Sequence, residues 1–175
     1  SAGAEALCLL YLGRALAFAN DREQAKQVLQ RHEIAAQKIS LQSWEEAAVF
    51  ALDSLLDIDP PDAGEITWQR QRLQERDTPL PLPLKARLSL RDGQPEQALL
   101  ELEQALVELK GRPSYDIVRI YALRALALQA KGDDQKALTM LKQALELGEP
   151  EKRIMTFVRE GVWMERLLRL AQAKG

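Results

Sequence analysis

Residues that carry chemistry are scarce in this 175-residue chain, which has one cysteine, Cys8, and one histidine, His32. A single thiol forms no internal disulfide and fits a reducing, cytoplasmic compartment. Because Cys8 lies in the apolar run LCLLYL, it is expected to pack as a small buried hydrophobe rather than to react. With one imidazole there is no second histidine for a metal site or a nucleophile–base pair. His32 also stands where a packing alanine recurs elsewhere, so a structural role is expected. Neither a metal nor a cofactor is implied, and no catalytic residue is assigned. No apolar stretch approaches ~18 residues, so no membrane span is expected, and the start SAGAEALC lacks the basic segment of a signal peptide. The net charge of −2 leaves no general footprint for nucleic acid. Aromatics make up only 5%; Trp44, Trp68 and Trp163 fall at helical spacing and are expected to pack in cores more than to offer a stacking platform. The carboxylate pairs Glu45/Glu46, Asp57/Asp59 and Asp133/Asp134 read as solvated faces or caps. β-branched residues are sparse too, while Leu, Ala, Gln, Glu, Arg and Lys dominate, which favours helix nearly throughout.

What is present is a spaced pattern that occurs three times. A small residue is followed by a turn residue seven positions on and an alanine twelve positions on: Gly13, Asn20, Ala25; Ala86, Gly93, Ala98; Ala125, Gly132, Ala137. Leucine follows each alanine at plus four, as Leu29, Leu102 and Leu141, and alanine at plus seven in two cases, Ala105 and Ala144. This describes a helix, a tight turn and a second helix. The small residues sit where two helices approach to about 8–10 Å. Arrays of such pairs are scaffolds for binding rather than for chemistry.

Along the chain the first pair is expected at 4–19 and 22–39, with Asn20 in the left-handed position and Asp21 as the next cap. A third helix is expected over 43–57, its capping box made by Ser43 and Glu46 and its apolar stripe by Trp44, Ala47, Ala48, Ala51, Leu52 and Leu55. A less regular helix follows at 63–76. Loose repeats thus fill 1–77, and a proline-rich connection, extended to about Leu82, fills 78–83. Clear repeats occupy 84–148, with breaks at Gly93, at Gly111-Arg-Pro-Ser and at Gly132, and Pro95 near the start of a helix. Closing helices fill 150–174. The whole of 1–175 reads as one repeat domain. Helical pattern reaches both termini, which points to a piece of a longer protein.

These residues resemble a degenerate tetratricopeptide array, with Tyr121, Ala125, Leu128, Ala137, Leu141, Ala144 and Pro150 at or beside the consensus positions. The period of 39 between Ala98 and Ala137 exceeds the usual ~34, and the excess falls in the connection 111–115. The closing stretch, Glu149-Pro-Glu-Lys-Arg-Ile-Met-Thr-Phe-Val-Arg-Glu-Gly followed by Met164 and Leu167-Leu168, resembles the end of the repeat region in MalT-like regulators of the LuxR group, ATP-dependent transcription activators of the STAND class. The resemblance implies an all-α, right-handed α-α superhelix of about four helix pairs plus a closing helix. It also implies a sensor region that receives a small-molecule inducer or a regulatory protein. Neither a phosphate-binding loop nor a helix-turn-helix occurs in these residues, so ATPase activity and operator binding would belong to other domains of the same chain.

In such a superhelix the first helix of each pair lines the concave face. The groove positions project to Leu10, Arg14 and Phe18; to Gln42, Glu45 and Val49; to Arg87 and Arg91; and to Arg119, Ala122, Leu126 and Gln129. Arginines at three of the four layers would favour an acidic peptide segment or an anionic or polyhydroxylated ligand, unless they only solvate exposed faces. Residues 151–174 carry six basic and three acidic side chains, an excess that would sit near DNA only if a DNA-binding module followed; the chain itself is expected to bind neither nucleic acid nor membrane. The alternatives are a protein–protein scaffold with no transcriptional role, self-association through apolar end faces, and an α-helical enzyme, which would need a polar pocket with strongly perturbed carboxylates.

Overall fold

The computed structural model describes residues 2–58, 60–109, 116–150 and 152–174. They form ten helices and, among the described residues, no strand: α1 (Ala2–Phe18), α2 (Arg22–Gln37), α3 (Leu41–Leu55), α4 (Ala63–Gln74), α5 (Leu82–Arg91), α6 (Pro95–Glu108), α7 (Asp116–Ala130), α8 (Asp134–Gly148), α9 (Ile154–Val158) and α10 (Gly161–Lys174). The chain is all-α and of tetratricopeptide-like construction. Among the described residues no helix is long and apolar enough to cross a membrane. The chain divides into two compact units, Ser1–Pro79 and Leu80–Gly175, and the division falls within the proline-rich connection. The break expected at 111–114, and Asp59, lie outside the described residues.

In the first unit α1 packs on α2, α2 on α3, α1 on α3 and α3 on α4. Asn20 (φ 57°) makes the left-handed turn, and Asp21 caps α2 by accepting from the Gln24 N–H. The close approach of α1 to α2 occurs at Gly13, where an added Cβ would stand 2.8 Å from Leu29 Cδ2. Leu29 is itself buried with Ala17, Ala25, Ala51, Leu55 and Ile58. Two local expectations need correction. First, α3 starts at Leu41, because the Ser40 hydroxyl, not that of Ser43, accepts the first free N–H, that of Ser43, at 3.0 Å. Ser40 has the extended backbone a cap requires (φ −164°, ψ 165°). Second, Cys8 is exposed: the stripe that α1 buries runs through Ala6, Leu9 and Ala17, and position 8 falls beside it.

In the second unit α5 packs on α6, α6 on α7, α5 on α7 and α7 on α8, while α9 and α10 both pack on α7. Gly93 (φ 72°) and Gly132 (φ 82°) make the two turns, where a side chain would be strained. Ala86, Ala98, Ala125 and Ala137 are each 0% exposed, as helices in close contact require. A core runs through this unit, from Leu102 and Leu123 through Leu141 to Phe157, Met164 and Leu167. Each fully buried leucine contributes roughly 1.5–3 kcal/mol. Helix α5 begins at Leu82, two residues earlier than expected, with Pro83 in its first turn. First-turn N–H groups have no intrahelical acceptor, so a proline there forfeits nothing. Packing of Leu82 on the core outweighs the preference of a pre-proline residue for extended backbone.

Candidate functional site

In the first unit the expected groove residues are largely engaged with their own neighbours. The Arg14 guanidinium on α1 lies over the rings of Phe50 (5.0 Å) and Phe18 (5.8 Å). It also faces the carboxylates of Asp57 (3.8 Å) and Asp53 (4.0 Å) on and just after α3. Phe18, Glu45 and Val49 are half-buried and Gln42 is exposed. Beside them is a cluster that sequence spacing did not single out. Arg72 of α4 lies over Trp68 (4.4 Å) and Trp44 (5.3 Å), and Arg76 lies over Trp44 (4.5 Å). Arg72 is anchored to the Glu33 carboxylate at 2.9 Å, and the buried Gln69 amide donates to the same carboxylate at 2.6 Å. The visible signal was the i, i+4 spacing of Trp68 and Arg72. Trp44 is in the core, whereas Trp68 is 46% exposed.

His32 is 4% exposed and meets the Phe50 ring edge-on at 6.2 Å. Neither ring nitrogen has a well-formed hydrogen bond among the described residues. Burial holds its pKa below the ordinary histidine range, an effect the Ala6 carbonyl only partly offsets. Among the described residues no three or more His, Cys, Asp or Glu side chains gather as metal ligands would.

In the second unit Arg87 is not a groove residue. It is 1% exposed; its Nε donates to the Glu160 carboxylate at 3.0 Å and its Nη2 to the Arg159 carbonyl at 2.7 Å. The helical period placed Arg87 on the open side of α5, but the α9–α10 corner covers that side. The closing stretch thereby acquires a structural explanation. Phe157 enters the core, Glu160 neutralises the buried arginine, and Gly161 (φ 55°) turns the chain into α10. Ala122 is buried as well.

Three of the remaining positions do come together. Leu126 and Gln129 of α7 line a cleft of about 320 Å³ with Leu90 of α5, Ala130, and Trp163 and Arg166 of α10. The Arg91 guanidinium lies over the Trp163 ring at 5.5 Å. Arg119 sits half-buried on α7, ten residues or roughly 15 Å along the axis from Gln129, and does not line the cleft. The cleft combines an apolar floor, an aromatic wall, one amide and a cationic rim, which suits recognition of a small amphipathic molecule. Trp163 and Arg166 were not projected as groove residues because α10 follows the last recognisable repeat. In space α10 packs on α7 as a further first helix would. A second, larger and more apolar groove of about 950 Å³ runs between α8, α9 and α10, lined by Leu145, Ile154, Phe157, Val158, Met164 and Leu168 among others.

A family model described as the MalT-like TPR region matches residues 68–174, well over half of the chain. No curated protein and no solved structure gives a significant match.

Proposed function

The chain belongs to the MalT-like TPR region family, and from that premise we propose that it is the effector-receiving repeat region of an ATP-dependent, LuxR-type transcriptional regulator. On this reading it is cytoplasmic and performs no catalysis itself; ATP hydrolysis and promoter binding belong to other domains of the regulator. The observation that carries the proposal is the cleft between α5, α7 and α10, where Trp163, Gln129 and Arg166 face an open space. An effector seated there touches three helices at once. It therefore favours whichever arrangement of α10 on α5 and α7 gives the better contacts, a population shift. The buried Arg87–Glu160 pair links α5 to the start of α10, so a change at the cleft acts on the corner that this pair holds.

The test is a promoter–reporter titration of the intact regulator carrying Trp163→Ala, with protein abundance measured in parallel. The expected result is loss of the effector response at unchanged abundance. An unchanged response would refute the reading. A second reading, a tetratricopeptide-type protein-docking surface without a transcriptional role, is favoured by the open apolar groove of α8, α9 and α10. It predicts that Leu145→Asp abolishes partner capture while Trp163→Ala does not.

A further inference from the structure

Resting on the effector-site reading above, we infer that the cleft of α5, α7 and α10 selects a small organic anion, a carboxylate or phosphate carried on a compact apolar or aromatic body. Among the described residues that line the cleft, the one charge is positive. Arg166 lines it directly, Arg91 covers the indole that forms its wall, and no carboxylate is among its described lining residues. Arg166 is exposed and has no ion pair among the described residues, whereas its neighbour on the same helix, Arg169, is held by Glu165 at 2.7 Å. The guanidinium of Arg166 is thus available to an incoming anion and presents a planar, bidentate donor edge. The body of the ligand meets Leu90, Leu126 and the Trp163 ring, which are apolar or aromatic, and Gln129 supplies a single amide for orientation. A volume of about 320 Å³ is at the lower end for ligand sites and fits a molecule of on the order of a dozen non-hydrogen atoms. A long polyol would find one amide and no row of hydroxyl partners, so neutral sugars are disfavoured.

The experiment is a fluorescence titration of the 175-residue chain carrying Trp44→Phe and Trp68→Phe, so that Trp163 is the sole indole. Phenylacetate and phenyl phosphate are the anionic probes, and phenylacetamide is the neutral isostere. Saturable quenching by at least one anion is expected, with phenylacetamide weaker by roughly ten- to hundredfold, the range for a charge-assisted hydrogen bond. Arg166→Gln should weaken the anion by the same factor, and Arg166→Lys should restore part of it. Equal binding of phenylacetamide, or unchanged anion binding in Arg166→Gln, would overturn the anion assignment. So would the absence of saturable binding by either anion. In each of these cases the reporter titration with Trp163→Ala still decides separately whether the cleft is the effector site.

Discussion

The Arg87–Glu160 pair supplies the sharpest test of how the second unit is held together. Side-chain exposures of 1% and 4% place both charges out of water. Replacing Glu160 by Gln keeps the shape but removes the carboxylate charge that faces the buried guanidinium, a loss of roughly 3–5 kcal/mol. A domain of this size has about 5–15 kcal/mol in total, so the loss is a large fraction of the whole. With a urea slope near 2 kcal/mol/M, the midpoint of this unit should fall by about 2 M. Trp163 lies three residues beyond Glu160 and reports the transition by fluorescence in a background without Trp44 and Trp68. Desolvation of the pair is incompletely compensated, because Glu160 Oε1 meets no hydrogen-bond donor among the described residues. The double replacement Arg87→Met with Glu160→Met should therefore recover most of the loss, ending within about 2 kcal/mol of the parent or above it. Additive losses in the double variant, or a loss below about 1 kcal/mol in Glu160→Gln, would refute the view that this is a buried, mutually dependent pair.

Three further outcomes are expected. Gly13→Ala drives a methyl to 2.8 Å from the buried Leu29 side chain and should cost about 1–3 kcal/mol by urea unfolding. Gly3→Ala, with nothing within 4 Å, should be neutral or gain up to about 1 kcal/mol; equal effects at the two sites would show that helix propensity alone is at work. For His32 the lowered pKa means that the unfolded chain takes up a proton which the folded chain resists. Stability is then full above about pH 6.5 and falls as the pH drops below it, by at most about 1.4 kcal/mol per pH unit. Urea midpoints at successively lower pH should show this slope, and His32→Leu should remove it. Gln69→Leu removes the donor to Glu33 and to the Ala48 carbonyl and should cost roughly 1–3 kcal/mol, again read as a shift in the urea midpoint.

Much of the architecture was written locally in the sequence. The recurring small–turn–alanine spacing marked the pairs α1–α2, α5–α6 and α7–α8, because close helix contact requires small side chains at fixed intervals along each helix. Asn20, Gly93 and Gly132 marked their turns, since a left-handed residue is a property of the local backbone. Asp21 was likewise legible as a cap, because a cap bonds N–H groups two or three residues away. The closing stretch that ends in Glu160 and Gly161 was legible as a resemblance, but its physical purpose was not. Which face of α5 meets water depends on α9 and α10, and Arg87 finds Glu160 across 73 residues of chain. The same dependence on distant partners put Cys8 outside the core, engaged Arg14 with Phe50 and Asp57, and brought Leu90, Gln129 and Trp163 into one cleft. A helix's period tells which residues share a face. Only tertiary packing decides whether that face is covered, and therefore which arginines remain to meet a ligand.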